Sequence, residues 1–360
     1  MRIVILGSVA LPVPPVFQGG TERIAYAQAV GLAQKGHEVI LIAAKGSQTS
    51  TSYELVAIGG GDTVTGSSQA SQMEEFVESS RKMRKEMVYL AQVSEWLLNN
   101  EKRFDAILNN MRGEAVFLPV AKRIQKPFTT VMHLPLFAEL AGLFEEYKTP
   151  VITISNAQRK GFPGLHYAGT AYNGVDLTEF PFEEKRGAYL LIMGSIAPHK
   201  NQAAAIRVAK KLSMKLILAG KIGDERYFNE EIAPHIDNTT VVHKGELSHE
   251  EKVSLYQHAR ALLFPILWEE PFGLVMIEAM ACGTPVVAFN RGAVPEVVID
   301  GKTGFIVGKE EEMVDAVGKI SSIDRGACRK HVETHFSVEN MVDEYERILS
   351  SVISRYSSSR

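Results

Sequence analysis

Short apolar runs recur along the chain at 3–6, 38–43, 106–108, 128–132 and 151–154, and again at 189–193, 215–218, 240–242, 261–264, 286–289 and 305–307. Their length and lack of polar alternation suit strands buried on both faces. Between them lie longer stretches with helical patterning, including 22–34 and the long polar-apolar segment 73–98. Such alternation predicts parallel sheets covered by helices, an α/β chain of doubly wound, Rossmann-like units. The segment 59–72, rich in Gly, Ser and Thr, reads as a loop.

The alternation breaks at Phe180-Pro-Phe-Glu-Glu-Lys-Arg-Gly187 and then resumes. Single cores stop growing at roughly 250–300 residues, so a chain of 360 residues is expected to divide, and this break marks the boundary. The expected domains are 1–180 and 181–337, followed over 338–360 by a helix, clearest to about 353, that returns toward the first domain. Doubly wound sheets bind ligands beyond the carboxyl ends of their strands. The cleft between the two domains is therefore where a site is expected.

Composition narrows the class. A net charge of −3 argues against nucleic acid as the main partner. Cys282 and Cys328 are the only cysteines, with no CxxC pair and no histidine cluster at ligand spacing, which supports neither a disulfide framework nor a zinc site. That usage fits the reducing cytoplasm. The apolar run at 3–6 is short and is followed by prolines at 12, 14 and 15, so it reads as a first strand rather than a signal peptide. No later run approaches the roughly 20 residues of a membrane span.

Chemistry concentrates in WEEPFGLVMIEAMACGTPVVA at 268–288. Pro271 keeps Glu270 on a loop, Gly273 permits close backbone approach, and 274–282 reads as a helix with Glu278 as its one charge. The first-turn amides of such a helix lack helical partners and, with the dipole, suit a phosphate. A bare carboxylate among Leu274, Val275, Met276, Ile277 and Met280 would cost several kcal/mol unless donors reach it. Two partners fit Glu278: a structural Arg or Lys, or a pair of ligand hydroxyls such as a ribose diol. In MGSIAPHKN at 193–201, Gly194 leaves room at a strand end and Lys200 stands at the expected start of a helix, where an anion would offset its unfavourable place in the dipole.

The pair Glu270 and Glu278, spaced E-x7-E, together with Asn290-Arg-Gly-Ala-Val-Pro-Glu296 and Gly301-Lys-Thr-Gly-Phe305, resembles glycosyltransferase family four. Gly194 to Lys200, Tyr172-Asn-Gly-Val-Asp176 and Gly19-Gly20-Thr21-Glu22 resemble that family in the same order. The resemblance implies the GT-B fold and a nucleotide-diphospho-sugar donor, with UDP-sugars mildly preferred. It implies that Lys200 and the amides near Gly273, Leu274 and Val275 hold the diphosphate, with Phe272 among the donor-binding residues. Glu278 would accept from the ribose, Glu270 would orient the transferred sugar, and Gly19, Gly20 and Gly194 would let backbone approach the donor. Ser195 stands where the family commonly has an arginine, so Lys200 and the amides, or Arg23 or Arg291, would supply that charge. His133, after the strand at 128–132, matches a family histidine near the donor sugar or acceptor. Asn110 and Arg112 also follow a strand end and read more simply as a solvated loop.

The implied reaction is transfer to an acceptor hydroxyl with retention, on one face of the sugar, without a metal or other cofactor; no DxD pair stands at a strand end. Three other readings are open. A dehydrogenase is disfavoured because Gly7 leads into prolines rather than G-x-G-x-x-G. A sugar-nucleotide epimerase would isomerise the donor, and a binding module would hold it unchanged. Arg81-Lys-Met-Arg-Lys85 is a candidate for anionic lipid, but Glu78 lies three and four residues before Arg81 and Lys82, which better suits an exposed helix with internal ion pairs.

Overall fold

The structure is a computed structural model that describes residues 1–15, 19–61, 63 and 72–358. Most of the expected loop at 59–72 falls outside them. The chain forms two compact units, one comprising Met1–Ile154, Arg159–Ala171 and Val342–Arg360, the other Ser155–Gln158 and Tyr172–Met341.

The first unit is built on β1 (Arg2–Leu6), β2 (Glu38–Ala43), β3 (Glu54–Ala57), β4 (Ala106–Asn109), β5 (Phe128–Met132), β6 (Val151–Thr153) and β7 (Tyr167–Thr170). These pair in parallel in the order β3-β2-β1-β4-β5-β6-β7. The connecting helices are α1 (Gly20–Gln34), α2 (Gln72–Asn99), α3 (Glu114–Arg123) and α4 (Ala138–Tyr147). Ile3, Val4, Ile5 and Leu6 are fully buried, as are Ile107 and Leu108, which explains the near-continuous apolar run of each central strand. One core cluster gathers Val4, Leu6, Ile42, Leu97, Phe104 and Phe117, and another gathers Leu118, Met132, Phe144 and Val151.

The second unit repeats the plan with β8 (Tyr189–Met193), β9 (Leu216–Ala219), β10 (Val241–His243), β11 (Ala259–Phe264), β12 (Val286–Phe289) and β13 (Gly304–Val307), in the order β10-β9-β8-β11-β12-β13. Its helices are α5 (Gln202–Lys211), the single turn α6 (Glu225–Tyr227), α7 (His249–Gln257), α8 (Leu274–Ala281), the short α9 (Val294–Val297), α10 (Glu310–Lys319) and α11 (Arg325–His335). The last helix, α12 (Val338–Ser358), starts in this unit and contributes 342 onward to the first. There Val342 lies so close to Gly31 of α1 that a Cβ on Gly31 would meet it at 2.5 Å, and Glu346 accepts from Lys35 at 2.7 Å.

Besides the short excursion of Ser155–Gln158, the units change at 171/172 and 341/342 rather than in the polar stretch at 180–187. Residues 172–180 belong with the second unit for a physical reason. Val175 N–H donates to Phe336 O at 2.9 Å, Val338 N–H donates back to Val175 O at 3.2 Å, and Phe180 is buried against the rings of His249 and Tyr256. The proline and charge run thus marks a loop inside this unit.

α7 and α8 are tied at their ends by Arg325, which is 4% exposed. Its guanidinium donates to the carbonyls of Glu183, Ala259, Gln257 and Cys282 at 2.7–3.2 Å, and so reaches the last residue of α7 and the C-cap of α8. Burial holds this guanidinium below its ordinary range. Arg325→Leu strands several buried acceptors, each costing about 1–3 kcal/mol. The urea midpoint of the variant is expected to fall by the equivalent of about 3 kcal/mol or more; an unchanged midpoint would show that the four carbonyls do not depend on it.

Candidate functional site at the switch point of the second unit

β8 and β11 are neighbours from which the strand order runs in opposite directions, so the second unit's topological switch point lies at their carboxyl ends. Gly194, immediately after β8, adopts φ +138°, a conformation L side chains rarely take, and open space lies where its Cβ would be. Ser195 follows, and its carbonyl accepts from the Gln202 side chain at 3.0 Å. Lys200 does not open a helix, as its spacing suggested. It closes the 3-10 turn Pro198–Lys200, with its N–H on Ala197 O at 2.9 Å, and Asn201 separates it from α5. Asn201 takes the left-handed conformation (φ +56°) that asparagine tolerates, and donates to Pro265 O beyond β11 at 3.0 Å. That bond fixes the lysine turn against the loop carrying the first acid.

On that loop Glu270 is 8% exposed. Its Oε2 accepts from Lys200 Nζ at 2.9 Å and from Trp268 Nε1 at 2.9 Å. The ammonium also lies 5.1 Å from the Trp268 ring centroid and 5.7 Å from that of Phe264. Two aromatic faces and one carboxylate therefore hold a cation at the end of β11. The loop after β12 braces the acid from behind: Ala293 N–H donates to Glu270 O at 2.9 Å and Gly292 N–H to the Glu269 carboxylate at 2.7 Å. Arg291 pairs with Glu269 at 3.7 Å.

α8 begins directly after Gly273, whose φ of +85° and crowded Cβ position, 2.6 Å from the Met276 terminal methyl, account for the glycine. Leu274 and Val275 form its first turn and are half-buried. The Phe272 side chain is 1% exposed and packs against Tyr172 and Phe336, so this residue can face a ligand only through its backbone. Glu278, also 8% exposed, has a cation and a phenol on its two oxygens: Lys252 Nζ at 2.9 Å on Oε1, and Tyr256 Oη at 2.8 Å on Oε2. Of the two partners the sequence left open, the structure supplies a structural lysine. Burial, and then the Glu278 charge, push the Tyr256 phenol well above its usual range, so it stays protonated and donates. A carboxylate accepts up to about four hydrogen bonds, so these two contacts do not preclude ligand hydroxyls.

Lys252 and Tyr256 escaped sequence reasoning. Their signal was their i, i+4 spacing, which places both on one face of α7, the face that meets α8. Glu296 was also missed as a fixed point: it accepts from Tyr172 Oη at 2.8 Å and from the backbone of Asn156 and Ala157 at 2.8 and 2.6 Å.

The remaining expected residues lie in the first unit. Gly19 precedes α1 with φ +155°, and Gly20 is the first residue of that helix. His133 follows β5, and its Nε2 bonds Asn110 Oδ1 at 2.8 Å, while Asn110 and Gln28 exchange amide bonds of 2.8 and 3.2 Å. Burial lowers the His133 pKa to about 4, so the imidazole is neutral at neutral pH and Nε2 carries the proton it donates. Asn110 is thus buried in a polar network rather than on a solvated loop. Arg112 pairs with Glu86 at 3.3 Å, and Arg81 with Glu78 at 2.9 Å on an exposed face of α2. No described helix is long and apolar enough to cross a membrane.

Comparison with known proteins points the same way. Residues 177–333 match the family model described as Glycosyl transferases group 1, a span that contains Lys200, Glu270 and Glu278. The glycogen synthase of Mycobacterium tuberculosis (strain CDC 1551 / Oshkosh) is 33% identical over 151 residues, covering 39% of this chain and 36% of that protein. The chain therefore spans little more than a third of that relative's length. Solved structures also match over nearly the whole chain. AviGT4, a glycosyltransferase involved in avilamycin A biosynthesis, has a TM-score of 0.73 at 20% identity, with 98% of each chain covered. Anabaena Alr3699/HepE in complex with UDP and glucose also has a TM-score of 0.73, at 17% identity, covering 98% of this chain and all of that one. The fold is GT-B.

Within that fold the Lys252–Glu278 contact has a testable energetic signature. Removing one partner of a mostly buried ion pair is expected to cost about 3 kcal/mol, so Lys252→Met should lower the denaturation midpoint sharply. Adding Glu278→Gln removes the uncompensated charge and is expected to recover much of the loss. A double variant less stable than Lys252→Met by the full cost of Glu278→Gln alone would show the two side chains to be energetically independent.

Proposed function

We propose that this protein is a retaining glycosyltransferase of family four that moves a glycosyl group from a nucleotide-diphospho-sugar, preferentially a UDP-sugar, to an acceptor hydroxyl without a divalent metal. The observation that carries the reading is the 2.9 Å contact between Lys200 and Glu270, at the switch point of the unit that matches the glycosyltransferase family model. In the donor, diphosphate and transferred sugar are adjacent, and here a cation and an acceptor lie side by side. An ammonium has three donors, so Lys200 can keep Glu270 in place while it binds phosphate oxygens. Glu270, steadied by Trp268, would then take hydroxyls of the sugar.

Bond cleavage places negative charge on the departing diphosphate. Lys200 and the first-turn amides of α8 at Leu274 and Val275 would stabilise it, a preorganised electrostatic effect that needs no metal. Ser195 brings no charge, so Lys200 carries the cationic share together with the amides, or with Arg23 or Arg291. Glu278, held by Lys252 and Tyr256, would receive the ribose hydroxyls. With both acids engaged by ligand hydroxyls, neither Glu270 nor Glu278 is left to form a covalent intermediate. Retention would follow from attack on the face the diphosphate leaves, with a phosphate oxygen taking the acceptor proton. Neutral His133 would stand near the donor sugar or acceptor, and Gly19 and Gly20 would let backbone approach the donor. Two buried free thiols, each pushed up to about 12 by burial, fit a protein of the reducing cytoplasm.

The UDP preference comes from the family resemblance, and a neighbour of this fold has been solved with UDP and glucose. A thermal-shift screen of UDP-, GDP- and ADP-sugars is expected to single out UDP-sugars, since a ligand that binds only the folded state raises its apparent stability. With the donor in hand, Lys200→Ala is expected to lower kcat by about 10²–10³, and NMR of the product should show the donor's anomeric configuration. Unchanged turnover, or an inverted product, would contradict the assignment.

A further inference from the structure

Three glutamates among the described residues are buried to the same degree, each 8% exposed. Glu270 and Glu278 each hold a lysine ammonium at 2.9 Å. Glu22, in the first turn of α1, has no side-chain hydrogen bond or ion pair among the described residues. A glutamate at the third position of a helix often caps the amide ahead of it, and Glu22 makes no such bond. The helix end offsets about half of its charge, which leaves the hydrogen-bonding capacity of a buried carboxylate unused.

The acid lines a cavity of 30 Å³ together with Ser8, Glu86, Asn110 and Arg112. β1 and β4 are the neighbours from which the first sheet's order runs in opposite directions, and Ser8 and Asn110 lie just beyond their carboxyl ends. The cavity is therefore at this unit's own switch point, where doubly wound sheets take ligands. Its walls are fixed: Ser8 Oγ accepts the N–H groups of Ala10 and Leu11 at 3.2 Å each, and the Asn110 side chain is committed to Gln28 and His133 at 2.8–3.2 Å. Arg112, the one cation among the described lining residues, pairs with Glu86 at 3.3 Å. Neither Asn110 nor Arg112 serves Glu22, and two carboxylates against one guanidinium leave the lining with an excess of negative charge.

We infer that this cavity binds the protonated primary amine of a small polar ligand, with Glu22 as its main partner and Glu86 as its second. A water needs about 10–15 Å³, so the cavity admits one small polar group while the body of the ligand stays outside. A hydroxyl of that size would bring one donor and no charge. An ammonium brings three donors and cancels the excess charge of the lining, which a buried, unpaired carboxylate requires. Asn110 also bonds His133, which the proposed reaction puts near the donor sugar or acceptor. The ligand is then an acceptor that carries an amine besides its reacting hydroxyl; that identity rests on the proposed function, whereas the binding does not.

Ligand-observed NMR titration of the full chain, with no donor present, compares glucosamine with glucose, which has a hydroxyl in place of the ammonium. Glucosamine is expected to bind about tenfold or more tightly, the worth of a charge-assisted hydrogen bond. Glu22→Gln keeps the shape, removes the charge and is expected to abolish the preference. Should that variant fail to melt cooperatively, Glu86→Gln carries the test, with an expected loss of about threefold in the preference. The UDP-induced thermal shift is read on the same proteins. Its absence with the amine preference intact counts against the proposed reaction alone and supports the amine site. Equal binding of the two sugars by the parent, binding of neither, or a preference that survives in Glu22→Gln would overturn the inference, whether or not UDP binds.

Discussion

A carboxylate inside an apolar helix must be matched by donors, and that requirement organises the second unit. α8 buries Met276, Ile277, Ala279 and Met280 around Glu278. The acid is accommodated because Lys252 and Tyr256, one turn apart on α7, reach its two oxygens. This contact demands that α7 and α8 stay in register, and Arg325 secures their far ends through backbone carbonyls. An isosteric apolar residue would be cheaper to bury than an ion pair. Retaining the acid there is economical if its oxygens also meet a ligand.

Glu270 meets the same constraint by other means. It sits on a loop, so its neighbours come from three chain segments: Lys200 after β8, Trp268 within the same loop, and the backbone after β12. Adjacent carboxyl ends of parallel strands bring these segments together, and the sheet order makes β8 and β11 the pair with room between their connections. Recognition of a diphosphate next to a sugar needs a cation next to an acceptor. The switch point places Lys200 beside Glu270 in such a juxtaposition.

Much of this was legible in the sequence. Strands buried on both faces read as uninterrupted apolar runs, which is why β1, β2, β5, β8 and β12 were located to within a residue. β3 and β7 were not found: both lie at the sheet edges and are only partly buried, Tyr167-Ala-Gly-Thr lacks an apolar run, and the short run at 55–58 ends in the glycines 59–61 of the expected loop. The unit boundary was misplaced because composition records loops, whereas membership in a unit depends on backbone pairing such as Val175 with Phe336. The spacing of Glu270 and Glu278 identified both acids. It could not reveal which cations serve them, since Lys200 is 70 residues from its partner and Lys252 is 26 residues from its own.

In the proposed scheme Glu278 serves a ribose as well as Lys252. Calorimetric comparison of UDP with its 2′,3′-dideoxy analogue, in the parent protein and in Glu278→Gln, addresses this directly. The parent is expected to favour UDP by about tenfold or more, the worth of a charge-assisted hydrogen bond, and the variant to lose most of that preference. A preference of equal size in both proteins would mean that the acid answers only to Lys252 and Tyr256, and that the nucleotide is recognised elsewhere.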